Sequence, residues 1–110
     1  MEENLKQVWS ERDEARRMKT IESFYTKDAA LYHVNDRTEG HEAINKSVSS
    51  VISEMPPDFV FSVLQPIIIN HNLGRLFWGL GPEGKSPVAT GMDIAVFENE
   101  KIKSLYVFLD

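Results

Sequence analysis

The chain has 110 residues and a net charge of −5, from 12 basic and 17 acidic side chains. That length fits one domain, residues 1–110, which can bury enough surface to fold without disulfide or metal staples. Composition excludes several classes: an acidic chain with no basic run is a poor match for nucleic acid or an anionic membrane surface, a chain without cysteine has no disulfide or thiolate chemistry, and no apolar run approaches the ~20 residues that span a bilayer.

The opening MEENLKQVW lacks the basic and apolar regions of a signal peptide, so a cytoplasmic address is expected by default. The first third reads as helix. Leu5, Val8 and Trp9 follow i, i+3, i+4 spacing, and Met18, Ile21, Phe24 and Tyr25 repeat the pattern a few turns later. Between them, SERDEARR offers Ser10 or Asp13 as a cap, with Glu14 near the positive end of the next helix. Two helices, or one with a kink, are expected. Residues 29–35 alternate as a short strand, and DRTEG reads as a turn. HEAINKSVSSVISEM places Ile44, Val48, Val51 and Ile52 at helical spacing, and Pro56 and Pro57 end that third helix. Strands follow at about 58–69, 73–81, 87–97 and 101–109, joined by NHNLG, GPEGKSP and ENEK. Helices first and a meander of antiparallel strands after them is an α+β layout, with the helices on one sheet face.

The late strands are apolar on both parities. In 87–97, Met92, Ile94 and Val96 oppose Ala95 and Phe97. In 101–109, Ile102, Tyr106 and Phe108 oppose Leu105, Val107 and Leu109. One face meets the helices and the other is too apolar to stay exposed, which predicts a homodimer through the sheet.

Three stretches, FYTKDAALYHV (24–34), EGHEAI (39–44) and TGMDIAVFENEKIKSLYVFLD (90–110), resemble the nuclear transport factor 2-like superfamily, and within it the SnoaL-like proteins and ketosteroid isomerase. The resemblance covers nearly the whole chain. It implies a strongly curved antiparallel sheet wrapped as a cone around three helices, with an apolar pocket inside and dimerisation through the sheet. The superfamily holds isomerases, cyclases, dehydratases, hydrolases and proteins that only bind, so the fold does not fix the activity.

The resemblance gives Asp93 a role. GMDIAVF matches the strand on which the isomerase carries a pocket aspartic acid, kept protonated so that it donates to an enolate oxygen. Aspartate is depleted in strands, and a carboxyl in a dry pocket has its charged form disfavoured. The alternative is an Asp93 that accepts hydrogen bonds from a helix terminus or from Arg16 or Arg75. His33 falls where the isomerase places its general base and shares a strand face with Leu31 and Asn35. It can take or give a proton near neutral pH, or it can simply bond backbone at the pocket mouth. The isomerase's helix tyrosine is absent: the matching position is near Leu5, and the nearest donor is Trp9. Tyr106 is a substitute if a short ENEK turn pairs it with Asp93, whereas alignment with the isomerase favours Leu105 there.

His33, His41 and His71 lack metal-ligand spacing, and GLGPEG lies between strands and opens no helix, so no metal, phosphate cradle or cofactor is expected. Trp9, Tyr25, Trp78 and Tyr106 are candidate pocket-lining residues. The expected function is a cofactor-free acid–base enzyme, isomerase-like or polyketide cyclase-like, acting on a small hydrophobic carbonyl compound through His33 and Asp93. The alternatives are a binding protein that does no chemistry, or a dimerisation module with Trp9 and Trp78 plugging the cone.

Overall fold

In the computed structural model, which describes residues 1–110, the chain begins as a helical turn, α1 (Glu2–Asn4), and widens into a π-helical segment, Leu5–Trp9. Ser10 breaks it, and the Ser10 hydroxyl accepts the Phe61 N–H at 3.2 Å, tying this segment to a later strand. Asp13, not Ser10, caps α2 (Glu14–Phe24): its carboxylate accepts the Arg16 N–H at 3.0 Å. Gly40, at φ 89°, precedes α3 (His41–Ser53), a backbone conformation that glycine adopts without strain. No helix is long and apolar enough to cross a membrane.

The strands are β1 (Tyr25–His33), β2 (Asp36–Glu39), β3 (Phe59–Val63), β4 (Ile68–Asn70), β5 (Leu73–Pro82), β6 (Ala89–Glu98) and β7 (Lys101–Leu109). They form one sheet in the order β2-β1-β7-β6-β5-β3, with β4 also paired to β5. The expected α+β cone is present, but β1 begins at Tyr25 rather than near 29, taking Tyr25 out of the helix, and three further details of the strands change. First, DRTEG is not only a turn: Asp36–Glu39 is a strand, joined to β1 by the two residues Val34 and Asn35, with Asn35 at φ 62°. Second, the stretch 58–69 is interrupted between β3 and β4, where Pro66 has no N–H for a ladder. Third, the sheet is mixed rather than antiparallel, because β1 runs parallel to β7. The hairpin joins β1 to β2, so β7 can reach β1 only as a late strand entering from the other side.

Register within β6–β7 decides which side chains face the helices. Glu98 pairs with Lys101 across Asn99 and Glu100, both at positive φ, as a two-residue hairpin loop requires. An uninterrupted ladder from that loop would place Tyr106 opposite Asp93. Instead a β-bulge at Lys103 inserts one residue, so Asp93 pairs with Val107 and Tyr106 with Ile94. The bulge also returns Ile102 to the same face as Leu105, and both are buried. The apolar parity expected for this strand, with Ile102 beside Tyr106 and Phe108, is therefore wrong at Ile102.

The core lies between the helices and the concave sheet face. Val8, Ile21, Ile44 and Val48 from the helical layer meet Leu31, Leu76, Ala95 and Leu105 from the sheet. A buried arginine clips the helices together. Arg17 donates to Asn45 Oδ1, to the Glu11 carbonyl at 2.8 Å and to the Ser49 hydroxyl, joining α2 to α3. His41 fixes the start of α3 to β1 through the Tyr25 and Thr26 carbonyls, so it is a structural histidine.

Candidate functional site

The helices do not fill the cone completely. A cavity of about 190 Å³ remains, lined by eleven residues, eight of them hydrophobic. Leu5 and Trp9 come from the π-helical segment, Val51 and Glu54 from the end of α3, and Phe61, Trp78, Leu80, Asp93, Val107, Leu109 and His33 from five strands. Trp9, Phe61 and Trp78 form an edge-to-face series with ring centroids 6.1 and 5.3 Å apart. Both tryptophans thus line the space and narrow it without plugging it.

His33 and Asp93 both line this cavity, and the ladder places them on the same wall. His33 pairs with Val107 across β1–β7, Val107 pairs with Asp93 across β7–β6, and Asp93 pairs with Leu76 across β6–β5. Base and acid thus stand in one cross-strand row. Two strand spacings separate them, roughly 10 Å between backbones, with Val107 as the floor between. His33 is half-buried at the end of β1, whereas Asp93 is 4 % exposed.

Asp93 has one hydrogen-bond partner in the protein: the Trp78 indole N–H donates to Oδ1 at 2.9 Å. Neither Arg16 nor Arg75 pairs with it, and Arg75 lies over the Phe77 ring, 5.1 Å from its centroid. Burial disfavours the carboxylate and holds the Asp93 pKa up, to about 7, against the opposing pull of the Trp78 hydrogen bond. At neutral pH a large fraction of Asp93 is therefore a neutral acid able to donate.

Around it, the aromatic candidates separate. Tyr25 is fully buried but does not line the cavity, and its hydroxyl donates to Asn4 Oδ1 at 2.6 Å. Its pKa is raised by burial first and by the nearby Asp93 carboxylate second, with Trp9 and Asn4 opposing. Trp9 Nε1 lies beside the Tyr25 oxygen without meeting hydrogen-bond geometry, and it is the one buried side-chain polar atom left without a partner. Tyr106 is on the other face of the sheet, stacked on Tyr32 at 4.5 Å, with the Arg37 guanidinium over the Tyr32 ring. The bulge at Lys103 is the reason, and it removes Tyr106 as a partner for Asp93.

At the end of α3, Val51 and Glu54 line the cavity, although that helix carries no chemical signature in the sequence. Glu54 follows the helix as its C-terminal cap and brings an exposed carboxylate to the cavity mouth. No three His, Asp or Glu side chains converge to hold a metal ion.

No protein-family model matches the chain, and no curated protein matches it by sequence. Solved structures match its shape. A candidate isomerase of the SnoaL-like family from Agrobacterium tumefaciens superposes with a TM-score of 0.84 at 21% identity, over 93% of this chain and 87% of that one. A candidate polyketide cyclase from Sinorhizobium meliloti gives 0.73 at 15% identity, over 94% and 88%. A candidate ketosteroid isomerase from Kribbella flavida gives 0.71 at 10% identity, over 98% and 73%. At these identities the likeness establishes the fold: the chain has the α+β cone of the SnoaL-like and ketosteroid isomerase-like proteins.

Proposed function

We propose that the protein binds a small, apolar carbonyl compound in this cavity and moves a proton on the carbon beside the carbonyl. The observation that carries the reading is Asp93: a carboxyl in the wall of an apolar cavity, without a cationic partner, in the same cross-strand row as a histidine. The ligand lies over Val107 with its oxygen toward Asp93. The α-carbon C–H bond breaks, His33 takes the proton, and the electron pair moves through the new C=C bond onto the oxygen. The Asp93 O–H steadies that oxygen by a hydrogen bond, and His33 returns the proton to carbon.

Cavity size favours a monocyclic compound over a steroid. The space of about 190 Å³ is below the roughly 300 Å³ at which pockets for drug-sized ligands begin. The reading includes a homodimer through the convex sheet face, supported by Tyr32, Ile94, Tyr106 and Phe108, of which Phe108 is half-exposed.

The test is deuterium exchange at the α-carbons of cyclohexanone and 2-methylcyclopentanone in D2O, followed by NMR. Enzyme-accelerated exchange, lost in His33→Ala and Asp93→Ala but kept in Glu54→Gln, is expected. Binding of these ketones without exchange would instead support a carrier that does no chemistry.

A further inference from the structure

The Asp93 carboxyl has two oxygens, and the structure treats them differently. Oδ1 receives the Trp78 indole N–H, while Oδ2 has no protein partner and retains some accessible surface in the cavity wall. An indole N–H donates and cannot accept. An oxygen that already receives such a bond is the poorer place for a carboxyl proton, since a hydroxyl oxygen is the weaker acceptor of the two.

The indole is seated to do this. Trp78 pairs with Gly91 across β5–β6, and Asp93 is two residues along the same face. A Cβ at position 91 would overlap the Trp78 ring at Cζ2 and Cε2, and Cε2 is bonded to Nε1. Gly91 is buried, and its missing side chain is the space that holds the nitrogen-bearing edge of the ring. Edge contact with Phe61, at 82° between ring planes, fixes the other side.

We propose that Trp78 is a positioning residue: its N–H reserves Oδ1 of Asp93 as an acceptor, so that the acid carries its proton on Oδ2, facing the ligand, and Gly91 is the notch that seats the indole for this bond. The inference rests on the reading of Asp93 as a neutral donor and adds the residue that directs the donor. It also defines the ligand's side of the contact. The group at Oδ2 must be an acceptor, a carbonyl or enolate oxygen, and an ammonium or amide N–H would find the wrong partner there. The other titratable groups around the cavity are His33 from β1 and Glu54 after α3, with Tyr25 behind, and none forms an ion pair with Asp93.

The experiment is a carbon-13 NMR titration of the Asp93 carboxyl in the ligand-free protein, with the Trp78 indole N–H followed in parallel. The N–H bond favours the carboxylate, so its loss in Trp78→Phe is expected to raise the Asp93 midpoint. In the parent protein the Trp78 N–H resonance is expected to titrate with the same midpoint as Asp93. Gly91→Ala is expected to shift Asp93 in the same direction as Trp78→Phe. The cross-strand Phe108 carbonyl also crowds a Cβ there, so Trp78→Phe remains the deciding variant if Gly91→Ala does not fold. A midpoint unchanged or lowered in Trp78→Phe overturns the proposal, because a purely packing role admits water and eases ionisation. Because no substrate is present, failure of the ketone exchange leaves this result intact. Conversely, exchange that persists alongside an unshifted midpoint removes only the role of Trp78.

Discussion

His33 and Asp93 stand in one cross-strand row with a single residue, Val107, between them. That relation makes the pair a unit: any bend or slip of β7 changes both distances to a ligand over Val107. His33→Gln keeps hydrogen-bonding capacity but loses the basic nitrogen. It should lower the ketone exchange rate by about 100-fold or more, the usual weight of a positioned base. Since His33 is half-buried at a strand end, its urea midpoint should stay close to the parent's. A parallel loss of stability and activity would show that His33 is part of the scaffold.

Asp93 should also govern how stability depends on pH. Its pKa is about 7 in the folded protein against an ordinary value of 3.8. Below the ordinary value both folded and unfolded chains carry the proton. Between the two values the folded chain keeps it and the unfolded chain does not, so stability falls as pH rises. Above the folded value the penalty is constant, on the order of 4 kcal/mol. Asp93→Asn keeps an acceptor for Trp78 and removes the charge. Urea unfolding of both proteins at pH 4.5, 6 and 8 should show the variant gaining on the parent as pH rises. A constant difference across that range would mean that Asp93 is ionised in the fold.

Arg17 is 1 % exposed and has no ion-pair partner, so its hydrogen bonds to Asn45, Glu11 and Ser49 are what compensate its burial. Arg17→Met should cost about 2–4 kcal/mol, because it leaves the Asn45 and Glu11 oxygens unmet. Arg17→Lys should recover only part of that, since an ammonium lacks the planar fork that reaches several acceptors at once. Chemical denaturation with both variants checks the order.

The convex face carries Phe108, 50 % exposed, beside the stacked Tyr32 and Tyr106. If a second copy covers it, Phe108→Asp should convert a dimer into a monomer in sedimentation equilibrium while leaving the cavity side intact. A parent protein that sediments as a monomer at all concentrations would remove the dimer from the account.

The sequence makes most of the architecture legible for a physical reason: helical periodicity, the Asp13 cap, Pro56–Pro57 and the ENEK loop are local signals. The placement of Asp93 in the cavity wall is also legible, through the resemblance of GMDIAVF to the isomerase strand. What stayed hidden is non-local. The bulge at Lys103 moves Tyr106 to the outside and Val107 to the inside, and nothing in KIKSLYV marks where the extra residue goes. The parallel β1–β7 pairing puts His33 in the same cross-strand row as Asp93, and no local pattern encodes a partner strand more than seventy residues away. Glu54 reaches the cavity because α3 ends there, a fact about packing. Gly91 is legible only with Trp78 beside it.

The most direct test of the account is the midpoint of the Asp93 carboxyl itself, measured by carbon-13 NMR on the ligand-free parent protein. The enzyme reading depends on a donor at that position. A midpoint near 7, with the neutral acid still abundant at neutral pH, is the predicted result. A midpoint of about 4, in the ordinary carboxylate range, would put an anion in the cavity wall and contradict the donor role from which the proposed function is built.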